Sequence, residues 1–211
     1  MTVDVFSDIA CPWCSIGEAH LARALAGRDG VEVRWRPFQL QPGLPPGGAP
    51  RDAFFEAKFG GRAAMDAAFG HVTRAGAAVG VPFDFARLAG APNTADAHRV
   101  VLLGEAHGVG FAVARSLFDA YFAHGRDVTD AATLAEVAAA VGLAATETRA
   151  MLAGDRFRAE VAESQRLARE IGVTGVPFVV VDGRLGISGA QPPDVLARAF
   201  DEALAGAPGG A

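Results

Sequence analysis

Two cysteines, Cys11 and Cys14, are the residues whose type and spacing point most directly to chemistry. They are the only cysteines among the 211 residues, and only Pro12 and Trp13 separate them. Two thiols at this spacing can exchange with a disulfide: one sulfur attacks it, and the other resolves the mixed disulfide that forms. A structural disulfide framework would need more cysteines, spread so as to close longer loops. The pair therefore predicts a redox dithiol.

Two other interpretations of this pair are weighed against the redox dithiol. Inert buried thiols would account for the residues, but they would not need a place at the junction of a strand and a helix. A structural zinc site takes four ligands, and a catalytic one takes three and a water. The chain has no second cysteine pair, and His20 should point away along the same helix. The residues favour a redox dithiol, and we predict no metal site.

The secondary structure predicted around Cys11 and Cys14 indicates how the two cysteines are positioned. Val3 to Ile9 has the pattern of a buried strand, and Pro12 to about Ala26 has the apolar spacing of a helix. Val31 to Phe38 alternates apolar and charged residues, as a strand with one packed face does. A strand, a helix and a strand in such close succession predict a βαβ unit with parallel strands.

Cys11 falls at the start of the predicted helix. Pro12 suits the first helical position because the N–H group that it lacks would have no partner there. Unpaired N–H groups and the positive end of the helix dipole stabilise a thiolate at this point. We therefore expect Cys11 to be the exposed, attacking sulfur. Cys14, one turn further on, should be the buried sulfur that resolves the mixed disulfide.

The middle of the chain predicts a helical insertion. The Pro/Gly-rich stretch from Gln41 to Pro50 is typical of a linker. From Asp52 to about Gly154 the signals are almost wholly helical, and Asp155 to Gly172 has the pattern of a long amphipathic helix. We assign residues 46–159 to the insertion.

The last part of the chain, like the first, has the sequence pattern of strands and a helix. Residues 176–181 predict a strand, which Asp182-Gly183 turns back into a second strand at Leu185 to Ile187. A terminal helix should open at Pro192-Pro193-Asp194. Residues 1–45 and 160–211 would thus form an α/β core that the helical insertion splits.

The loop Gly172 to Pro177 is a second candidate element of the site. A proline directly before a strand is permitted, and its X-Pro bond can be trans or cis. In the predicted fold this loop faces Cys11, and the backbone of Val176 is free to pair with an extended substrate.

Together these motifs resemble the DsbA-like branch of the thioredoxin superfamily, and more closely its FrnE-like members. Those members are related to 2-hydroxychromene-2-carboxylate isomerases and kappa-class glutathione transferases. The resemblance covers nearly the whole chain and implies a thioredoxin-like core, β-α-β then β-β-α, with a large all-helical insertion. The matching segments are Cys11-Pro12-Trp13-Cys14, Phe38-Gln39-Leu40, Asn93-Thr94, His98-Arg99, Gly172 to Phe178 and Ser188 to Gln191.

The resemblance also has implications for the site. It implies that Pro177 is cis and packs against the two cysteines. The isomerase branch usually has Ser at the position of Cys11 and acts through bound glutathione, so two intact thiols favour disulfide exchange. Periplasmic DsbA enzymes carry a signal peptide and a His in the motif. Here Trp13 takes the place of that His, which removes one partner of the thiolate, and strongly oxidising behaviour is not expected.

Four polar residues are candidates for a cleft that faces Cys11. As a carboxylate, Asp8 could raise the pKa of a nearby thiol. If it is buried and protonated, it could relay protons to Cys14. A third interpretation is that Asp8 caps the first helix. Asn93 and Thr94 start a helix, and capping alone explains them. The resemblance suggests that Asn93, Thr94 and His98 line the cleft.

Aromatic residues are concentrated in the predicted insertion, where we interpret them as its core rather than as a ligand-binding box. A hydrophobic groove between the two parts of the chain is the alternative. The histidines of the insertion fall at apparent helix ends, where a surface position is the ordinary outcome. The residues concerned are Phe54, Phe55, Phe59, Phe69, Phe118 and Phe122, with His71, His107 and His124.

Composition excludes several classes of protein. The hydrophobic fraction of 51% excludes a disordered chain, and the net charge of −5 argues against nucleic acid as a partner. No apolar run approaches the roughly 20 residues of a membrane-spanning helix, so no membrane partner is expected. The first residues lack the pattern of a secretory signal, which favours a cytoplasmic location.

The combined prediction is a thiol–disulfide oxidoreductase that acts on protein or small-molecule thiols and disulfides. No bound cofactor is expected, although glutathione is a candidate co-substrate. One alternative is a glutathione-dependent isomerase or transferase that acts on a small aromatic or polyketide-like molecule. Another is a non-catalytic chaperone or binding module. The oligomeric state is left open.

Overall fold

The computed structural model describes residues 1–205 and confirms the βαβ unit around the cysteines. Strand β1 (Thr2–Ser7) leads into helix α1 (Pro12–Leu25), and strand β2 (Glu32–Pro37) follows. The two strands are parallel, with Val5 opposite Trp35. Because both strands end at the same edge of the sheet, the β1–α1 junction, which carries Cys11, lies at that edge.

The C-terminal hairpin consists of β5 (Phe178–Val181) and β6 (Leu185–Ser188), and it completes a four-stranded sheet in the order β2-β1-β5-β6. Strand β5 runs antiparallel to β1, and β6 pairs back on β5. Asp182 and Gly183 have φ of 47° and 66°, the left-handed conformation that Asp-Gly favours in tight hairpins. Helix α9 (Pro193–Ala205) then packs against α1. The hairpin and the terminal helix predicted for this part of the chain are thus confirmed, and residues 206–211 lie outside the described residues.

The residues between β2 and β5 form the predicted helical insertion and the helix that returns from it. A 3-10 turn and a π-helical segment interrupt the succession of α-helices in this region. The elements are α2 (Arg51–Phe59), α3 (Arg62–Val79), the 3-10 turn Phe85–Arg87, α4 (Ala95–Ala106), α5 (Gly110–Phe118), the π-helical segment Asp119–Ala123, α6 (Ala131–Ala140), α7 (Ala145–Ala153) and α8 (Arg158–Glu170).

Two features of this region differ from the prediction. The expected linker ends in a short strand β3 (Ala49–Pro50), which pairs antiparallel with β4 (Gly90–Ala91). The long helix expected from Asp155 begins only at Arg158. Phe157, just before it, has φ of 68°, a left-handed conformation that cannot continue a right-handed helix.

The hydrophobic core crosses between the sheet and the insertion. Its largest cluster joins Cys14, Ile16 and Trp35 to insertion residues such as Val100 and Leu117. A second cluster lies between the sheet and helices α1 and α9. The architecture is therefore the predicted α/β core with a helical insertion, while the boundaries at residues 45 and 160 stay predictions.

Candidate active site

Cys11 is the N-terminal cap residue of α1, as predicted, and its backbone is extended, with φ of −100° and ψ of 110°. Its N–H donates to the carbonyl oxygen of Asp8 at 3.0 Å, and the N–H of Cys14 donates to the carbonyl oxygen of Cys11 at 3.0 Å. These two bonds close the turn that carries the motif. Both cysteines are free thiols, and they lie 3.4 Å apart. The pair is therefore within reach of disulfide formation.

The expectation that Cys11 is exposed is wrong. Only 5% of Cys11 is accessible to solvent, against 1% for Cys14. The insertion covers this end of α1, and Cys11 packs in one buried cluster with Val72, Phe85 and Leu88. What remains accessible of Cys11 faces a cavity, so a substrate must enter that cavity to reach the sulfur.

Cys14 is a protonated thiol at neutral pH. Burial raises its pKa well above the ordinary value, and the neighbouring Cys11 raises it further through a hydrogen bond and through charge. Hydrogen bonds with the Ser7 hydroxyl and the Asp8 backbone oppose this shift without reversing it. Because the thiolate is the nucleophilic form, a sulfur that keeps its proton is poorly suited to attack first.

The loop before β5 reaches Cys11, as predicted. The Val176–Pro177 peptide bond is cis, as the resemblance implies. The Cys11 thiol donates to the carbonyl oxygen of Val176 at 3.5 Å. The Pro177 ring lies against α1, where a Cβ atom added to Gly17 would stand 2.9 Å from its Cγ.

A cavity of about 290 Å³ opens beside Cys11. Its walls come from the cysteine motif, from α2 and α3, and from the segments around Phe85 and Phe122. Several phenylalanines interpreted as insertion core also line this cavity. Phe118 and Phe122 are buried in the core cluster as expected, and Phe55 and Phe69 pack against it. The lining residues are Ala10, Cys11, Pro12, Trp13, Leu40, Phe55, Lys58, Phe59, Ala68, Phe69, His71, Val72, Phe85, Leu88 and Phe122.

Lys58 and His71 are the residues of this site that the sequence analysis missed. His71 lies within α3 rather than at a helix end, and its ring centroid is 5.5 Å from that of Trp13. Lys58 follows Phe55 by three residues on α2 and precedes Phe59. That spacing puts the three on one face of the helix, which is the signal that could have found Lys58.

Asp8 supports the cysteine loop from the interior. Its side chain is only 1% exposed, and its Oδ2 accepts a hydrogen bond from the N–H of Leu40 at 2.7 Å. Its Oδ1 accepts one from the N–H of Ala10 at 3.3 Å and lies 3.4 Å from Nε2 of His98. Asp8 therefore joins the β1–α1 loop to the segment after β2, and the suggestion that it caps α1 is wrong.

His98 belongs to the same interior network. It is fully buried, and its Nδ1 accepts a hydrogen bond from the indole N–H of Trp35 at 3.2 Å. Because Nδ1 is an acceptor in that bond, the ring proton of neutral His98 resides on Nε2, the nitrogen that faces Asp8. Trp35, His98 and Asp8 thus form a chain of polar contacts behind the cysteine motif.

Asn93 and Thr94 stand at the start of α4. Oδ1 of Asn93 accepts a hydrogen bond from the N–H of Ala95 at 3.0 Å, while its amide donates to the carbonyl oxygen of Leu44 at 2.6 Å. Thr94 is the cap residue by position, but its side chain makes no cap hydrogen bond. Neither residue lines the cavity beside Cys11, and the same is true of Asp8 and His98. The four predicted cleft residues therefore lie outside this cavity, and a part for them in a substrate cleft stays a prediction.

A larger cavity of about 680 Å³ lies away from the cysteines, between α1 and the helices α5 and α6. Its charged lining includes two ion pairs, Glu18 with Arg115 and Glu136 with Arg126.

Across residues 1–205 no group of three or more histidine, cysteine or acidic side chains is arranged to hold a metal ion. No helix in that part of the chain is long and apolar enough to cross a membrane.

Comparison with known proteins gives a consistent family. Residues 2–201 match the model of a family described as the DSBA-like thioredoxin domain. A probable DsbA oxidoreductase from Streptomyces coelicolor is 35% identical in sequence, and its crystal structure superposes with a TM-score of 0.91 over 100% of this chain and 93% of that one.

Two more distant structures share the fold. The cytosolic disulfide reductase DsbM from Pseudomonas aeruginosa, solved with GSH, is 24% identical, with a TM-score of 0.70 over 97% of this chain and 99% of that one. A 2-hydroxychromene-2-carboxylate isomerase is 18% identical, with a TM-score of 0.69 over 96% of this chain and 95% of that one. At this level of identity, both structures show that the fold is shared with this chain.

Proposed function

This chain belongs to the DSBA-like thioredoxin domain family, and on that premise we propose that it is a thiol–disulfide oxidoreductase with Cys11 as nucleophile and Cys14 as resolving thiol. One observation carries the proposal: two free thiols lie 3.4 Å apart at the start of α1, one facing a cavity and the other buried. An arrangement of this kind serves exchange rather than packing.

The exchange proceeds in two displacement steps. The Cys11 thiolate attacks one sulfur of a substrate disulfide, the substrate S–S bond breaks, and the departing sulfur leaves as a thiolate that takes a proton from water. Cys14 then loses its proton to solvent and attacks the Cys11 sulfur, which releases the second substrate thiol. Two electrons pass to the substrate, and the protein is left with a Cys11–Cys14 disulfide. The reverse sequence oxidises a substrate dithiol.

The surroundings of the two sulfurs support the distinct roles proposed for them. The N-terminus of α1 offers the positive end of a helix dipole to a Cys11 thiolate. Pro12 starts the helix without an unpaired N–H, and Trp13 forms part of the cavity wall. The Val176 carbonyl contacts the Cys11 sulfur, and Pro177 shapes the loop that a substrate would lie against.

Single-cysteine variants test this proposal. Cys11→Ser should abolish the reduction of insulin by dithiothreitol above the uncatalysed rate, because no attacking sulfur remains. Cys14→Ser should still attack and should accumulate a mixed disulfide that mass spectrometry detects as an adduct on Cys11. Circular dichroism of both variants controls for folding. Full activity of a folded Cys11→Ser variant would end the proposal.

A glutathione-dependent isomerase or transferase is a second candidate function, favoured by the apolar cavity beside Cys11. Calorimetric titration of the reduced protein with glutathione tests it, and the absence of binding at millimolar concentration would count against it.

Two finer assignments belong to the proposed oxidoreductase function: membership of the FrnE-like branch and a cytoplasmic location. Fractionation of cells that express the native gene tests the location directly.

A further inference from the structure

We propose that the cavity beside Cys11 accepts a small apolar disulfide that carries an anionic group, such as the disulfide of an aromatic thiol bearing a carboxylate. The inference rests on the proposed function and names the substrate class of the same site. Three features of the cavity carry it: its size, its aromatic wall and the sign of its charge.

The size of the cavity favours a small molecule. Cys11 is 5% exposed and is reached through a space of about 290 Å³, close to the lower end of the range for small-molecule sites. A disulfide held inside a folded protein loop would have to bring its own backbone into that space. A free disulfide of two small groups meets no such obstacle.

The wall of the cavity favours an aromatic group. Phe69 is stacked on Phe85 at a centroid distance of 4.2 Å and packs edge-on against Phe55 at 5.3 Å. Phe59 packs edge-on against Phe69 at 5.9 Å. Rings held by one another in this way present fixed faces and edges, and a flat aromatic ligand can pack against them with little further ordering.

The charge of the cavity favours an anion. Lys58 is the only lysine of the chain and the only cationic side chain on the wall apart from the titratable His71, and no Asp or Glu lines the space. The Lys58 ammonium lies 6.0 Å from the Phe54 ring and 5.8 Å from the Phe59 ring. Within residues 1–205 no carboxylate forms an ion pair with it. An exposed cation without an ion-pair partner, at the edge of an apolar cavity, suits an anionic ligand.

The chemistry of such a substrate balances without a further reactant. The reduced protein and one diaryl disulfide give the Cys11–Cys14 disulfide and two aryl thiols, with two electrons passing to the aryl disulfide. Aryl thiols have low pKa values and are good leaving groups, so the first displacement is fast. Lys58 would hold the carboxylate of the ligand while its sulfur is attacked.

Reaction rates with three probe disulfides test the inference. The probes are 5,5′-dithiobis(2-nitrobenzoate), which is aromatic and anionic, 4,4′-dithiodipyridine, which is aromatic and neutral, and cystamine, which is aliphatic and cationic. Stopped-flow rates for the reduced protein are divided by the rates of 2-mercaptoethanol, an uncharged thiol, with the same probe, which removes intrinsic reactivity. We expect the normalised rate to be highest for the anionic aromatic disulfide and lowest for cystamine.

Substitutions at the cavity wall test the contribution of its charge to the reaction rate separately from the contribution of its shape. Lys58→Met keeps most of the aliphatic chain and should lower the anionic-to-neutral rate ratio about fivefold, the order expected for one charge at short range in a partly wet site. Lys58→Arg should restore the ratio. Phe69→Ala should slow both aromatic probes relative to cystamine. Arg198→Gln, on the exposed face of α9, is the matched control and should change neither ratio.

Several results would overturn the inference. One is an anionic-to-neutral ratio that Lys58→Met leaves unchanged in a folded protein, and another is a normalised rate for cystamine equal to that for the anionic probe. Faster reaction with insulin than with either aromatic probe would assign the cavity to protein substrates. None of these results touches the proposed function, which fails only if the Cys11→Ser variant keeps its exchange activity.

Discussion

Cys11 and Cys14 are three residues apart, yet their surroundings differ. Cys11 touches a cavity and the Val176 carbonyl, whereas Cys14 lies beneath it, next to Ser7 and the Asp8 backbone. Burial raises the pKa of Cys14, so this sulfur keeps its proton at neutral pH. In the proposed exchange, this difference favours Cys11 as the sulfur that attacks first.

The raised pKa of Cys14 predicts that the reduced protein loses stability at alkaline pH. Below the ordinary thiol pKa of 9.0, the folded and unfolded states both keep the proton. Above it, the unfolded state releases its proton first, so the free energy of unfolding falls as pH rises toward the folded pKa. We expect a loss of roughly 1 kcal/mol between pH 8 and pH 10, measured by urea unfolding in the presence of a reductant.

The Cys14→Ser variant is the matched control for this pH dependence, because it lacks the thiol but keeps the rest of the site. Its free energy of unfolding should fall less over the same range. Cys11→Ser keeps the buried Cys14 and should still show the alkaline loss. Equal losses in the wild type and in Cys14→Ser would show that Cys14 is not the group responsible.

At the scale of elements, helix α1 is held against the loop that ends in Pro177. Gly17, one turn beyond Cys14, faces the Pro177 ring, and only the absence of a side chain allows this approach. The contact ties the motif-bearing helix to the loop whose Val176 carbonyl meets Cys11. The relative position of the two sides of the site therefore depends on a glycine outside the motif.

Gly17→Ala should destabilise the protein, although alanine favours a helix. The added Cβ would stand 2.9 Å from Cγ of Pro177, and a proline ring cannot turn aside as the end of a flexible chain can. Overpacking of this kind costs about 1–3 kcal/mol, which outweighs the roughly 1 kcal/mol of helix propensity gained. Thermal unfolding measures the change, and the insulin assay should show slower exchange.

Gly70→Ala is the matched control, since Gly70 also lies inside a helix, α3. Its added Cβ would meet only the end of the Arg74 side chain, at 3.5 Å. This variant should gain about 0.5–1 kcal/mol of stability. If Gly17→Ala were stabilised to the same degree, the contact with Pro177 would not be tight.

At the scale of the whole molecule, the buried Arg99 joins the insertion to the helix that returns to the sheet. It lies in α4 and is 1% exposed. Its guanidinium donates to the carbonyl oxygens of Met151 at 2.6 Å, Gly154 at 2.6 Å and Arg156 at 2.9 Å, and it pairs with Asp96 at 2.7 Å. These bonds hold the turn between α7 and α8.

Arg99→Gln should be strongly destabilising, because it leaves several buried carbonyl groups without donors. We expect a loss of about 3 kcal/mol in the free energy of unfolding, the range for breaking a buried charged network. Arg166→Gln is the contrasting variant: Arg166 pairs with Glu163 and Glu170 on the surface of α8, and its loss should change the stability much less, because exposed ion pairs contribute little. Similar losses in the two variants would contradict the role assigned to Arg99.

Much of the fold follows from short stretches of sequence. The cysteine motif at a helix start, the parallel strands around it and the Asp182-Gly183 hairpin are all predicted correctly, because each depends on residues that are neighbours in the chain. The helical insertion is also predicted as a class from its apolar spacing. Its short β3–β4 ladder is missed, because two strands of two residues each leave no periodic signal.

Which residues line the cavity depends on tertiary packing and could not be predicted from the sequence. Lys58, Phe69 and His71 reach the cysteine motif from helices more than forty residues away, and helical spacing does not tell which face will turn toward α1. The burial of Cys11 and the contact between Asp8 and Leu40 arise in the same way. Local patterns determine which residues can do chemistry, whereas contacts between distant segments determine what surrounds them and what can reach them.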